Sequence, residues 1–213
     1  MKIFAIVPVK KFENGKSRLA SLLDIRNRVK LGGLLLDSTL RTLKNATAIS
    51  NTIVVSSDLC AKTIAKKHGA IFLDEGRDTG VNNAVTLAND YCIQAGADAT
   101  IVVPQDLPLA LSGDIDIICN AAKNWHRCLI ICPSARYDGS NALLRRPPKL
   151  IESYYDNNSF DKHIYAARRA GAKIRIILSR RIMRDLDTVE DAQYLIQKPP
   201  TCKPLVYLRS KIS

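Results

Sequence analysis

The sequence has 213 residues, of which 46% are hydrophobic and 24% are charged, so it is long enough for one domain with a full core and its composition excludes wholesale disorder. The formal net charge of +12 favours anionic partners (nucleic acid, anionic membranes or phosphorylated small molecules) without choosing among them. The longest apolar runs are far shorter than the ~18–20 residues that a membrane-spanning helix needs. The six cysteines include no C-x-x-C pair, which excludes the usual zinc spacings and favours reduced core thiols.

Predicted strands and helices alternate along the chain. Short β-branched runs predict strands at Ile3–Val7, Thr52–Ser56, Ala70–Leu73, Thr100–Val103, Cys128–Cys132 and Ile174–Leu178. Apolar residues at helical spacing predict helices at Ile25–Leu43, Cys60–Lys67, Asn82–Ala95, Ile115–Trp125, Phe160–Ala170 and Val189–Ile196. This alternation predicts a three-layer α/β fold with a mostly parallel sheet. Ligands of such sheets bind beyond the carboxyl ends of the strands, so the loops after the strands matter most.

The two ends of the chain differ in character. The N-terminal segment Met1–Pro8 is too short for a signal peptide and contains a proline, so we interpret it as the first strand of a cytoplasmic protein. The segment Lys198–Ser213 is basic and contains prolines. We therefore predict one domain over residues 1–197 and an appended C-terminal tail over residues 198–213.

A basic loop follows the first predicted strand. Lys16 and Arg18 lie beside Gly15, several residues beyond the strand end at Val7. Backbone N–H groups and cations in such a loop can wrap a triphosphate. The loop matches neither the Walker A motif nor G-x-G-x-x-G, and an ordinary solvated turn remains an alternative.

Two later loops carry candidate ligand-binding residues. In the glycine-containing loop Asp74–Ala84, Asn82 offers both a donor and an acceptor, which suits a nucleobase edge, although Asp78 or Thr79 could simply cap the next helix. Asp106 lies directly beyond the buried strand at Thr100–Val103, in a loop stiffened by prolines. A carboxylate in that place is suited to hold a divalent cation.

The last third of the chain contributes hydroxyl groups and carboxylates. Ser140 follows a glycine, and Ser159 opens a helix that also carries His163; small hydroxyls in such places receive anions well, and His163 is a ligand, a base or a plain hydrogen-bond donor. Asp185 and Asp187 would share one face of an extended segment and could complete a magnesium shell with Asp106. Asp187 or Thr188 could also be the N-cap of the last helix, and both roles can hold at once.

Seven segments in this order resemble one known family. They are V-P-V-K at Val7–Lys10, K-S-R-L at Lys16–Leu19, G-V-N-N-A at Gly80–Ala84, P-Q-D-L-P-L at Pro104–Leu109, G-S-N-A-L at Gly139–Leu143, S-F-D-K-H at Ser159–His163 and D-L-D-T at Asp185–Thr188. Over roughly residues 1–197 the chain resembles the 2-phospho-L-lactate guanylyltransferase family (CofC), to which the phosphoenolpyruvate enzyme FbiD is related. That family acts in the biosynthesis of the deazaflavin coenzyme of methanogens and other archaea.

The resemblance implies a GT-A-like nucleotidyltransferase fold. It also implies a reaction of GTP with 2-phospho-L-lactate, or a related 2-phospho acid such as phosphoenolpyruvate, to give lactyl-2-diphospho-5'-guanosine or its analogue and pyrophosphate, with Mg²⁺ as cofactor. We expect these two small molecules as partners, neither nucleic acid nor membrane, and a homodimer.

By position in these motifs, the resemblance implies several site residues. The implied catalytic residues are Asp106 and Lys16, and the implied metal ligands are Asp106 and Asp187. The implied nucleotide-binding residues are Pro8, Val9, Lys10, Lys16, Arg18, Gly80, Asn82 and Asp106. The implied acceptor-binding residues are Ser140, Asn141, Asp156 and Ser159.

Two positions depart from the family pattern. The family usually has Thr where Ser140 stands and often has Gly where Asp156 stands. The first change is conservative, but a carboxylate at Asp156 is unfavourable beside an anionic acceptor.

The implied chemistry needs no general base. A phosphate monoester has a second pKa of about 6 and is mostly dianionic at neutral pH. The obstacle is repulsion between two anionic substrates, so positioning and cations would supply the catalysis. Two alternatives remain: a related nucleotidyltransferase that uses another NTP with a sugar, polyol or pterin phosphate, and a basic nucleic-acid-binding module. Aromatic residues of only 6% and the lack of a helix-turn-helix, zinc or RRM signature oppose the second.

Overall fold

The β-branched runs of the sequence form strands of one seven-stranded sheet in the computed structural model, which describes residues 1–212. The strands are β1 Ile3–Pro8, β2 Asn51–Ser56, β3 Ile71–Asp74, β4 Ala99–Val102, β5 Cys128–Pro133, β6 Ser140–Arg146 and β7 Lys173–Ile176. The α-helices are α1 Ile25–Lys44, α2 Leu59–Lys67, α3 Val81–Gln94, α4 Ser112–Ala121, α5 Ser159–Arg169, α6 Val189–Ile196 and α7 Lys203–Ile212. The strand order is β3-β2-β1-β4-β6-β5-β7.

One strand, β6, runs against the others. The pairs β1–β2, β1–β4, β2–β3 and β5–β7 are parallel, whereas β6 is antiparallel to both β4 and β5. The first residues of β6 therefore lie at the edge where the parallel strands end. The sequence pattern predicts no strand at Ser140–Leu143, whereas in the structure these residues begin a buried central strand.

Helices cover both faces of the sheet. Successive residues of a central strand point to opposite faces, and both faces are apolar, so both have to be buried. On one face, Val7 packs in a cluster with Leu36 and Leu40 of α1. On the other face, Ile6 packs in a cluster with Val85 and neighbouring residues of α3. This arrangement confirms the predicted three-layer, mostly parallel α/β fold.

The C-terminal segment is not a loose extension. Residues Lys203–Ile212 form α7, and Pro204 is tolerated in its first turn because no intrahelical donor is needed there. Leu205 and Leu208 are buried in a cluster with Leu31 and Leu35 of α1. The domain boundary at residue 197 stays a prediction, but most of the predicted tail packs into the same molecule; its last residue, Ser213, lies outside the described residues.

The six cysteines are all free. Cys92, Cys119, Cys128 and Cys132 are buried, as predicted for core thiols, whereas Cys60 is exposed and Cys202 is half-buried. Within residues 1–212, no helix is both long enough and apolar enough to cross a bilayer.

Candidate active site

Three loops of the sheet's carboxyl edge meet around one ammonium group. The Lys16 Nζ atom lies 2.6 Å from Oδ2 of Asp106 and 3.0 Å from Oδ1 of Asp187. Arg18 reaches Asp187 from outside, with Nη1 at 3.8 Å from Oδ2. Residues 90 and 171 positions apart in the chain therefore converge on one cation.

These residues border a cleft of about 370 Å³. Six of the predicted site residues line it, with Gly15, Val81 and Gln105 among their neighbours; the six are Pro8, Lys10, Lys16, Arg18, Asp106 and Asp187. The structure thus brings the predicted triphosphate loop and the predicted metal carboxylates into one concave site.

The basic loop is anchored by an aromatic residue that the sequence analysis did not single out. Phe12 is buried, and its backbone N–H donates to Asp58 Oδ2 at 2.9 Å. Its ring lies so close to α1 that a Cβ on Gly32 would approach Phe12 Cδ1 to 2.9 Å. Beyond this anchor, Lys16 has a left-handed backbone with φ of 53°, a costly conformation for a non-glycine residue. That conformation accompanies a side chain directed into the site.

The loops that carry Asp106 and Asp187 are held by one contact from helix α1 and one contact between the loops. The Asp106 loop is fixed by Thr39, whose hydroxyl donates to the Gln105 carbonyl at 2.9 Å. The backbone N–H of Leu186 donates to the Asp106 carbonyl at 2.9 Å, and the Leu186 side chain is fully buried. Because Leu186 is fixed in the core, its neighbour Asp187 is placed at the cleft, whereas Asp185 Oδ1 accepts from Asn141 Nδ2.

Charge compensation decides the protonation of this cluster. Burial alone would lower the pKa of Lys16, but Asp106 and Asp187 outweigh burial and raise it. Burial works in the opposite sense on Asp187, and Lys16 overcomes it and holds the pKa of Asp187 below its usual value. No cation within residues 1–212 pairs with Asp185, and burial, followed by repulsion from Asp106, raises its pKa to about 6.

The donor set suits a divalent cation that also binds phosphate. Asp106 and Asp187 already converge on a single cationic atom, and Asp106 Oδ1 is buried with no hydrogen-bond partner among residues 1–212. Within residues 1–212, no three His, Cys, Asp or Glu side chains enclose a metal position by themselves. Mg²⁺ typically takes one or two protein carboxylates and completes its shell with substrate phosphates and water, so the residues present fit that ion.

A smaller pocket of about 160 Å³ adjoins the cleft and shares Pro8, Lys10 and Val81 with it. The predicted residues Val9 and Gly80 line this pocket, together with Glu75. In the described part of the chain, Glu75 Oε2 is buried without a hydrogen-bond partner. Burial, followed by repulsion from Asp78, raises the pKa of Glu75. Sequence reasoning missed Glu75, although its place one residue after a strand end is the same signal that identified other candidates.

Asn82 is engaged by a neighbouring loop and does not line the cleft. Its Oδ1 accepts from the Tyr155 backbone N–H at 2.7 Å, and its Nδ2 donates to Asp156 Oδ2 at 3.0 Å. Asn82 therefore ties the nucleotide loop to the loop before α5. The Asp156 carboxylate has an amide partner in this arrangement.

The predicted acceptor residues fall into two connected groups. Ser140 Oγ and Ser159 Oγ are 3.2 Å apart, and both side chains are buried together with His163. The next residue, Asn141, donates from Nδ2 to the Ile182 carbonyl at 2.9 Å and to Asp185 Oδ1 at 3.2 Å. Ser140 is thus followed directly by Asn141, the residue that contacts Asp185 beside the carboxylates of the cleft.

A comparison with protein families decides the relationship of this chain. The family model described as "Guanylyl transferase CofC like" matches residues 1–212. The chain belongs to this family. Its match runs through α7, whereas the sequence motifs alone extended the resemblance only to about residue 197.

Curated relatives share most of their length with this family member. A phosphoenolpyruvate guanylyltransferase of Rubrobacter xylanophilus is 33% identical over 191 residues, which cover 90% of this chain and 92% of that protein. A 2-phospho-L-lactate guanylyltransferase of Methanothermobacter thermautotrophicus is 29% identical over 211 residues, which cover 98% and 91%. The protein is accordingly an enzyme of the nucleotidyltransferase class.

Solved structures support the same fold. A protein of Desulfovibrio desulfuricans G20 described as a nucleotide-diphospho-sugar transferase superposes with a TM-score of 0.81 at 16% identity, covering 99% of this chain and 95% of that one. A nucleotidyl transferase of Methanothermobacter gives a TM-score of 0.66 at 15% identity, covering 98% and 99%. The GT-A-like fold implied by the resemblance is thereby confirmed.

Proposed function

We propose that this protein transfers the guanylyl group of GTP to a 2-phospho acid, 2-phospho-L-lactate or phosphoenolpyruvate, and releases pyrophosphate in coenzyme biosynthesis. The observation that carries the proposal is the Lys16 ammonium held between Asp106 and Asp187 in a cleft at the sheet's carboxyl edge. Family membership supports the guanylyl donor, since relatives of both acceptor types carry that activity in their names. The proposal leaves two candidate acceptors, 2-phospho-L-lactate and phosphoenolpyruvate.

The reaction forms one P–O bond and breaks another. A phosphate oxygen of the acceptor attacks the α-phosphorus of GTP in line, and the bond from that phosphorus to the bridging oxygen of pyrophosphate breaks. Since the attacking phosphate is mostly dianionic near neutral pH, no residue has to remove a proton. The residues of the site then have to overcome the repulsion between two anions.

The charges of the cleft are suited to that task. Lys10, Lys16 and Arg18 line the cleft and would contact the triphosphate, and Asp106 and Asp187 would hold Mg²⁺. When bound, the metal ion supplies positive charge to phosphate oxygens as a Lewis acid. Because the Lys16 ammonium lies between these carboxylates, we propose that Lys16 would turn toward the triphosphate when the nucleotide binds.

The smaller pocket offers a physical reason for guanine. Guanine presents adjacent N–H donors at N1 and N2, and a carboxylate can accept from both. The Oε2 atom of Glu75 has no hydrogen-bond partner in residues 1–212, and Glu75 lines the pocket beside Val9 and Gly80. We therefore propose that the base occupies this pocket with Glu75 as the acceptor of the guanine N–H groups.

Product analysis tests the proposed function. The protein is incubated with Mg²⁺, each of the four NTPs and each candidate acid, with pyrophosphate release and product mass as readouts. We expect product with GTP and at least one of the two 2-phospho acids. Product only with another NTP and a sugar, polyol or pterin phosphate would overturn the proposal.

The base assignment has its own test in the same assay. Glu75→Gln keeps the shape of the side chain but replaces one acceptor by a donor. We expect the ratio of kcat/KM for GTP to that for ATP to fall about 10-fold or more, a size typical of losing a hydrogen bond to a charged group. An unchanged ratio would show that Glu75 does not read the base.

A further inference from the structure

His163 is fully buried next to the predicted acceptor residues. Its Nε2 lies 3.0 Å from the backbone nitrogen of Tyr154, and its Nδ1 lies 3.0 Å from Ser140 Oγ. The rings of Tyr154 and Tyr155 lie edge-on to it, with centroids at 5.9 and 5.0 Å. The ring is therefore fixed on both nitrogens and enclosed at its sides.

These contacts determine where the proton of the ring lies. A backbone nitrogen can only donate, so Nε2 of His163 must accept from Tyr154 and carries no proton. The proton of the neutral ring is then on Nδ1, from which it is donated to Ser140 Oγ. Burial, followed by the nearby Arg145 charge, lowers the pKa of His163 to about 3, and the Ser159 carbonyl opposes this shift. The neutral ring is the form present near neutral pH.

Counting donors shows what this tautomer does to the two serines. The cluster of His163, Ser140 and Ser159 has three donors: the Nδ1–H group and two hydroxyl groups. The two internal contacts, His163 to Ser140 at 3.0 Å and Ser140 to Ser159 at 3.2 Å, use two of them. Within residues 1–212, neither hydroxyl has a further hydrogen-bond acceptor. One hydroxyl proton is therefore left without an acceptor inside the cluster, whichever way the serine pair is oriented, and it is available to a ligand.

The opposite tautomer would change that result. With the proton on Nε2, the ring would face the Tyr154 N–H group with a second donor, and Nδ1 would accept the Ser140 proton. Ser159 could then use its own proton on Ser140, and no hydroxyl would be left for a ligand. The direction of the Tyr154 contact thus decides whether the serine pair can bind an anion.

A buried cation lies close to this cluster. Arg145 on β6 is 2% exposed and forms no ion pair within residues 1–212. Its donors bind the Ile151 carbonyl, Ser153 Oγ and Asn89 Oδ1, each at 3.2 Å. A buried cation without a counter-ion favours an anion nearby, which adds to the outward hydroxyl donor.

We propose that His163 is a positioning residue for the acceptor: the Tyr154 backbone fixes its tautomer, and the ring orients Ser140 and Ser159 so that one hydroxyl donates to the carboxylate or phosphate of the 2-phospho acid. This inference rests on the proposed function for the identity of the acid. The orientation of the proton within the cluster does not depend on it.

Two substitutions separate positioning from packing. His163→Asn keeps an N–H donor near the Nδ1 position, whereas His163→Gln places its amide near the Nε2 position, where it can accept from Tyr154 but not donate to Ser140. We expect the KM for the acid to rise about 10-fold or more in His163→Gln and to stay within about 3-fold in His163→Asn. The KM for GTP should stay within about 3-fold in both. Equal effects in the two variants, or a larger acid-KM rise in His163→Asn, would overturn the proposal.

A spectroscopic measurement tests the wild-type protein directly. The chain has only three histidines, so ¹⁵N-histidine labelling gives a spectrum in which the two tautomers are distinguished by the nitrogen shifts. We expect the Nδ1–H tautomer for His163 from about pH 5 to about pH 8, and a shift of its signals on adding 2-phospho-L-lactate or phosphoenolpyruvate with Mg²⁺ and GTP. His126, which precedes β5 at the opposite edge of the sheet, is the control and should not shift.

The outcomes distinguish this inference from the proposed function. An Nε2–H tautomer, or His163 signals unchanged by an acid that the enzyme consumes, would overturn the positioning role alone. Absence of product with every acid, together with the Nδ1–H tautomer and a shift on acid binding, would overturn the proposed transfer and support the positioning role.

Discussion

Two neighbouring regions at the sheet's carboxyl edge handle polarity in opposite ways. Around Lys16, charged groups compensate one another at the border of an open cleft. Around His163, neutral groups are hydrogen-bonded in a buried cluster. Asn141 connects the two regions, since it follows Ser140 and donates to Asp185.

The difference follows from what each region can exchange with a ligand. A charge cluster that borders a cleft can exchange one partner when another cation or anion arrives, because Asp187 is 40% exposed although Lys16 itself is buried. A buried hydroxyl cluster has no mobile charge to offer, but its direction is well defined. We therefore expect the charged cluster to determine rate and metal dependence, and the neutral cluster to determine acceptor affinity.

The largest effect is expected from a substitution that disrupts the charged region. Asp106→Asn removes the negative charge from the carboxylate nearest to Lys16, so pyrophosphate release should fall at least about 100-fold while the thermal unfolding temperature changes little. Asp98→Asn is the matched control, because Asp98 precedes β4 at the opposite edge of the sheet and accepts from the Lys2 N–H group. Retained activity in Asp106→Asn would refute the metal assignment.

A second substitution tests the exchange of cations. Lys16→Met removes the ammonium between Asp106 and Asp187, so transfer should fall about 10- to 100-fold. Binding of Mg²⁺ without nucleotide should become tighter, because no side-chain cation competes for the carboxylates. Calorimetry or the Mg²⁺ dependence of the unfolding temperature measures this.

Lys67→Met serves as the control for that substitution. Lys67 Nζ lies 2.9 Å from Asp37 Oδ1, in a lysine–aspartate pair outside the cleft whose lysine is exposed. It should leave Mg²⁺ binding unchanged. Weaker Mg²⁺ binding in Lys16→Met would contradict the proposed exchange.

The smallest effect appears in the pH dependence of stability. The pKa of Asp185 is raised to about 6 in the folded state, from an ordinary value of 3.8. Between these values the folded state binds more protons than the unfolded state, so this group makes the protein less stable as pH rises. As pH rises from about 4 to about 7, the free energy of unfolding of Asp185→Asn should therefore increase by about 1–3 kcal/mol relative to that of wild type. Urea unfolding in EDTA measures this difference.

A carboxylate elsewhere gives the opposite sign. Burial tends to raise the pKa of Asp37, but His68 and Lys67 hold it at about 2. Asp37 therefore stabilises the fold above about pH 4, and this contribution is lost as pH falls toward 2. Asp37→Asn should lose stability relative to wild type as pH rises through that range.

The prediction for Asp185 has a clear contrary outcome. If the free energies of unfolding of Asp185→Asn and wild type changed in parallel with pH, the raised pKa of Asp185 would be contradicted.

Much of the charged region was predictable from the sequence. Asp106, Lys16 and Asp187 each follow the end of a recognisable strand or precede a recognisable helix. Polar groups in such places cannot enter the core, and the parallel strands bring them to one edge. That Asp106 and Asp187 lie together beside the basic loop was expected, whereas their pairing with the Lys16 ammonium is seen only in the structure.

The neutral region was less predictable. The sequence suggested hydroxyl groups near Ser140 and Ser159 but left the role of His163 open. The reversal of β6 brings Ser140 to the active edge, and a left-handed residue at Asn158 starts α5 so that Ser159 and His163 face it. Asn82 was predicted to face the nucleobase, whereas its two polar atoms bind the 155–156 segment; its role in base recognition stays a prediction.

The amino-acid pattern by itself determined the layered α/β fold and the set of charged residues at its active edge, because strand periodicity and polarity act locally along the chain. Only the tertiary structure decided which way β6 runs, where residues 203–212 pack, and which nitrogen of His163 carries the proton. Those properties depend on contacts between segments far apart in the chain, and no local pattern encodes them.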